Sequence, residues 1–86
     1  MKKRTRFDII FEILRISLGR EATKAKIIKE ANINSKMAEK YINFMLENDL
    51  LRESLRYDKR VFKTTEKGNQ LLNEFDGVIN VTMHRK

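Results

Sequence analysis

Ser35, Lys36, Glu39, Lys40 and Asn43 fall at helical spacing along one short segment of the chain. A helix brings residues three and four apart onto one face. One surface would then present a hydroxyl, two ammonium groups, a carboxylate and an amide. Such donors and acceptors suit the edges of base pairs in a DNA groove. On that reading Lys36 meets a guanine or a phosphate, and Asn43 reads an adenine. The competing reading of each residue is an ordinary solvated helix surface, with Glu39 and Asn43 favourably spaced along it. A second set of side chains offers only positive charge: Lys24 and Lys26 before this segment, Arg56, Lys59 and Arg60 after it, and Lys2, Lys3, Arg4 and Arg6 at the N-terminus. Their natural ligand is the phosphate backbone, with the N-terminal bases as an arm or simply a solubilising tail.

Covalent chemistry finds little support. His84, the sole histidine, stands beside Arg85 and Lys86 near the chain end, and there is no cysteine. No His, Cys, Asp and Glu set has metal-ligand spacing, and no serine has a nearby histidine to activate it. Gly19, Gly68 and Gly77 are too scattered to cradle a phosphate. The expectation is a non-enzyme without cofactor or metal.

Several elements must position the polar face. Phe7 to Leu18 reads as helix, apolar over more than one face and therefore central to a core or a dimer contact. Gly19 would stop it. Thr23 is a good N-cap for a helix over Lys24 to Glu30, with Ala22, Ile27, Ile28 and Ala31 inward. Asn32-Ile33-Asn34 makes a turn, and Asn34 caps a helix over Ser35 to Asn48 with Ala38, Tyr41, Ile42 and Met45 inward. Phe44 lies off that stripe and is expected under the following hairpin or against the first helix. Residues 50–57 and 60–64 read as strands joined by Asp58-Lys59, with Phe62 and Tyr57 as hairpin core. That turn lacks the glycine that tight hairpins favour. Thr65 caps a last helix, and Gly68 in its first turn allows close approach to a neighbour. Leu71, Leu72, Phe75, Val78, Ile79 and Thr82 form a seam resembling a coiled coil, which favours a continuous helix to about Thr82 and a homodimer across it. Against continuity stand Asp76-Gly77, a plausible helix end, and the β-branched run that follows.

The order helix, helix-turn-helix, hairpin, helix is the plan of a winged helix, mainly α with a small β-hairpin (α+β). Eighty-six residues make one domain with a small core. We divide it into a basic tail (1–6), a winged helix-turn-helix (7–64) and a C-terminal dimerisation helix with tail (65–86).

The formal net charge is +7. Residues 1–31 carry nine basic and four acidic side chains, whereas residues 32–48 balance at two each. A polyanion is the expected partner, but the segment with the best recognition chemistry is itself neutral. The absence of cysteine fits an intracellular setting. No apolar run is long enough for a membrane span. Asp8, Glu12 and Arg15 break up what would otherwise resemble a signal peptide. A cytoplasmic, nucleoid-associated location is expected.

The run Asn34-Ser35-Lys36-Met37-Ala38-Glu39-Lys40-Tyr41-Ile42-Asn43-Phe44-Met45-Leu46-Glu47-Asn48-Asp49-Leu50-Leu51, followed by Phe62-Lys63-Thr64-Thr65-Glu66-Lys67-Gly68, resembles small archaeal winged-helix transcriptional regulators, including chromatin-type DNA-binding proteins of about 10 kDa, a length class that this chain shares. Tyr41-x-x-Phe44, the Leu50-Leu51 pair and the Thr65 to Gly68 turn carry the likeness. It implies a homodimer joined through the last helix and binding double-stranded DNA as a regulator or architectural protein. The chain departs from the family pattern at Asp49, where a glycine is usual, in the wing turn, which has no glycine, and in a short last helix containing Gly77. The rival reading is a winged-helix adaptor that binds protein within a transcription complex.

Overall fold

The structure, a computed structural model, describes the backbone of residues 4–84 and the side chains of residues 4–77. Its elements are α1 (Arg6–Ile16), β1 (Ala22–Thr23), α2 (Lys24–Ala31), α3 (Ser35–Glu47), β2 (Leu51–Arg56), β3 (Lys59–Thr64) and α4 (Glu66–His84). Local side-chain chemistry sets most boundaries. Thr5 and Asp8 form a reciprocal capping box at the start of α1. The Thr23 hydroxyl accepts from the Lys26 backbone N–H at 3.2 Å, and Asn34 Oδ1 from that of Met37 at 2.7 Å. Each cap satisfies a backbone donor that the first helical turn leaves without a partner. α2 ends where Asn32 turns left-handed at φ 57°, and the chain leaves α3 through Asp49 at φ 59°. Asn and Asp tolerate this region better than other residues with a Cβ, so Asp49 fills the place of the usual glycine. Its carbonyl oxygen also accepts from the Thr65 hydroxyl at 2.6 Å, tying the α3 exit to the α4 start.

The sheet corrects the expected hairpin in two ways. Arg56 pairs with Lys59, so the turn is Tyr57-Asp58 and not Asp58-Lys59. Both turn residues have positive φ, at 52° and 64°, as a two-residue turn matched to strand twist requires. Tyr57 is therefore 98% exposed at the wing tip and contributes nothing to the hairpin core. The second correction is a third strand. Ala22 and Thr23 pair antiparallel with Phe62 and Val61, giving the order β1-β3-β2. Ala22 thus belongs to the sheet and not to α2, although it is buried as expected.

The core joins Ile9, Ile13 and Leu14 of α1, Ile27 of α2, Ala38, Ile42 and Met45 of α3, and Phe62 of the central strand. Phe62 is fully buried, and burial of a side chain this size is typically worth about 1.5–3 kcal/mol. Tyr41 and Ile28 pack at the margin of this cluster.

α4 runs unbroken through Asp76 and Gly77, as the apolar seam suggested. The Gly68 backbone N–H donates to the Thr65 hydroxyl at 3.0 Å, which fixes its start. The seam itself is narrower than expected. Leu72 is 2% exposed inside the chain's own core, so it is not available to a partner. The Phe75 ring stacks on Phe11 with centroids 3.9 Å apart, and Arg15 pairs with Asp76 at 2.7 Å, locking α4 to α1. Leu71 remains exposed. The side chains of Val78, Ile79, Thr82 and His84, and the whole of Lys2, Lys3, Arg85 and Lys86, lie outside the described residues. A Cβ at Gly77 would meet nothing within 4 Å. Gly77→Ala is therefore expected to stabilise the protein by up to about 1 kcal/mol, the helix-propensity gain alone. Urea unfolding followed by circular dichroism checks this through a raised midpoint at constant slope.

Candidate nucleic-acid interface

Asn34 starts α3 with its polar face turned outward. Ser35, Lys36, Lys40 and Asn43 are exposed, as an interface requires. Neither α2 nor α3 carries an acidic residue in its first turn, so the positive ends of both helix dipoles are uncancelled there. Glu39 behaves differently from its neighbours. Its carboxylate accepts from Lys24 Nζ at 2.9 Å and lies 3.7 Å from the Arg60 guanidinium. Arg60 in turn donates from Nε to Glu53 at 2.7 Å and lies over the Phe62 ring at 5.1 Å. One carboxylate thus joins α2, α3 and the hairpin.

The Lys24 hydrogen bond and charge hold the Glu39 carboxyl below its usual range, helped by Arg60 and Asn43 and opposed by slight burial. A depressed carboxylate pKa stabilises the fold at neutral pH. That contribution is present above the ordinary carboxylate range and is lost as acid titrates Glu39 through its lowered value. Its size is small because the pairs are exposed. Arg56 is engaged in a similar way: its Nε and Nη2 reach the two oxygens of Glu21 at 3.0 and 3.3 Å. The hydrogen bond from Arg56 holds the Glu21 carboxyl below its usual range.

The residues expected to touch phosphate therefore fall into two groups. Lys24, Arg56 and Arg60 are held by carboxylates of the same chain. Lys26, Lys36, Lys40 and Lys59 have no ion-pair partner among the described residues. Glu39 is committed to the scaffold. The N-terminal bases divide as well. Arg4 donates to the carbonyls of Ala31 and Asn32 at 2.6 and 2.9 Å, bracing the turn into α3, and Arg6 begins α1. Sequence reasoning placed Tyr57 in the hairpin core and did not single out Leu55; they are 98% and 69% exposed on the wing. Among the described residues no cluster of His, Cys, Asp or Glu suits a metal, and no helix is long and apolar enough to cross a membrane.

Residues 3–83 match the family described as winged helix-turn-helix. An uncharacterized protein of Methanocaldococcus jannaschii is 34% identical over 79 residues, which cover 92% of this chain and 36% of that protein. The chain thus spans little more than a third of that relative's length. Among solved structures, Sso10a-2, a DNA-binding protein from Sulfolobus solfataricus, superposes with a TM-score of 0.81 at 26% identity, covering 93% of this chain and 83% of that one. F93 from STIV, a winged-helix DNA-binding protein, gives a TM-score of 0.72 at 25% identity and covers 98% of this chain and all of its own.

Proposed function

The chain belongs to the winged helix-turn-helix family, and from that premise we propose that it binds double-stranded DNA as a homodimer, acting as a transcriptional regulator or an architectural protein. The observation that carries this reading is the outer face of α3, where Lys36 and Lys40 stand exposed with no carboxylate engaging them among the described residues. In the proposed complex α3 lies in the major groove. Lys26 at the start of α2 and Lys59 on the wing grip the flanking backbone. Ser35 and Asn43 face base edges. Lys24, Arg56 and Arg60, each held by a carboxylate of the same chain, brace α2, α3 and the wing and add little net charge. The names of Sso10a-2 and F93, both described as DNA-binding, support the same reading. A titration of isotopically labelled protein with random-sequence duplex, followed by amide chemical shifts, tests it. Shifts should concentrate at Ser35 to Asn43, the start of α2 and the wing. Shifts confined to α1 and α4 would overturn docking through α3.

Residues 7–64 supply the DNA contacts in this proposal, and residues 65–86 join the protomers. Dimerisation uses the part of α4 beyond its packing on α1, with Leu71 and Phe75 at the edge and Val78, Ile79 and Thr82 along the seam. Two recognition helices then approach one face of DNA about one helical turn apart. Sedimentation velocity at micromolar concentration is expected to show a dimer for the wild type and a monomer for Ile79→Glu. A monomeric wild type would sink the dimer. The adaptor reading drew its support from the neutral charge of residues 32–48. That neutrality partly reflects Glu39, which the scaffold engages through Lys24 and Arg60.

A further inference from the structure

The groove enclosed by α1, α3 and the start of α4 has a volume of about 560 Å³. We propose that it binds a small amphipathic anion, a single hydrophobic body ending in a carboxylate. Its volume is within the range of pockets that hold small ligands, roughly 300–1,000 Å³. Phe7, Phe44 and Leu71 line it while remaining 64%, 45% and 36% exposed in the single chain, Leu71 at the edge of the proposed dimer contact. They come from three different elements, α1, α3 and α4. An apolar cleft open to water on this scale favours an apolar occupant.

Charge specifies the other end of the ligand. Arg6, Lys40 and Lys67 line the same groove, and no acidic residue does among the described residues. None of the three has an ion-pair partner among the described residues. Lys26, Lys36 and Lys59 also lack an ion-pair partner among the described residues, but Arg6, Lys40 and Lys67 are gathered around one apolar groove. Three uncompensated cations around aromatic and aliphatic walls complement one anionic head on an apolar body. A neutral lipid or a cation has no such match.

Lys40 belongs both to this groove and to the outer face of α3. A carboxylate seated against it withdraws one cation from DNA, so ligand and duplex oppose each other, reciprocally and by the same factor. This second step rests on the proposed DNA binding. Ligand binding itself does not.

Calorimetric titration of the full chain with decanoate, without DNA and below the concentration at which it forms micelles, tests the site. One decanoate per chain is expected, with decanol at least tenfold weaker. The Lys40→Gln, Lys67→Gln double variant, with fold checked by circular dichroism, should also bind decanoate at least tenfold more weakly. Phe44→Ser offers an independent wall variant and should show the same loss. Equal binding of decanol and decanoate, or equal binding by wild type and both variants, would overturn the proposal. So would absence of decanoate binding, including the case in which a second copy of the chain covers the groove. With DNA present, saturating decanoate should lower duplex affinity severalfold in the wild type. If decanoate binds and duplex affinity does not move, the coupling fails while the ligand site stands.

Discussion

Replacing Lys36 and Lys40 together by glutamate should weaken duplex binding about a hundredfold or more while leaving the fold intact. Each good contact to a base edge is typically worth about 1–3 kcal/mol, and 1.4 kcal/mol is tenfold in affinity. Both side chains are exposed on α3, so stability should change little. The size of the effect follows from Glu39. Simple charge counting makes residues 32–48 neutral, yet Lys24 and Arg60 already face this carboxylate. The charges on the outer face left without an ion-pair partner among the described residues are therefore Lys36 and Lys40. Lys59→Gln is expected to cost more than Arg56→Gln, because Arg56 is already spanned by both oxygens of Glu21. Fluorescence anisotropy with labelled duplex measures all three variants. Retention of wild-type affinity by the Lys36, Lys40 double variant would show that α3 does not enter the groove.

Gly68→Ala should destabilise the protein by about 2 kcal/mol, although alanine is the better helix former by up to about 1 kcal/mol. The Cβ it adds would lie 2.6 Å from the Leu50 carbonyl oxygen, 2.8 Å from Thr64 Cγ2 and 3.0 Å from Leu14 Cδ2. The Leu50 oxygen cannot simply withdraw, because it accepts from the Thr65 backbone N–H at 3.1 Å. α4 must therefore move off α1 and the sheet. A domain this small has only several kcal/mol of stability, so the change takes a large share of the total. Paired with Gly77→Ala, it gives opposite signs for the same substitution in one helix. Urea midpoints measure both. An unchanged or raised midpoint for Gly68→Ala would contradict the close approach.

What the sequence revealed and what it hid divide along physical lines. Thr23, Asn34 and Thr65 were legible as caps because each acts on a backbone N–H three residues away. The inner faces of α2 and α3 were legible because burial repeats at the helical period. Strand β1 was not, since two residues carry no period and its partner lies across the fold at Val61 and Phe62. The wing turn was displaced by one residue because Tyr57-Asp58 adopts the left-handed pair without the usual glycine or asparagine signal. Leu72 looked like part of an association seam because adjacent leucines on a helix do not reveal which one the core takes. The pairing of Arg56 with Glu21, 35 residues apart, left no trace in local pattern. For the same reason the engagement of Glu39 by Lys24 and Arg60 was not legible in the local pattern of α3.

The salt dependence of duplex affinity tests the central claim most directly. Each phosphate neutralised contributes a slope of about −0.9 in the logarithm of affinity against the logarithm of salt. If Lys26, Lys36, Lys40 and Lys59 of both protomers engage phosphate, the slope should be roughly −7, against roughly −3.6 for a single protomer. A slope near the larger value on random-sequence duplex is the expected result. Failure to bind duplex at low salt, or an affinity that does not respond to salt, would contradict the account and leave the adaptor reading in its place.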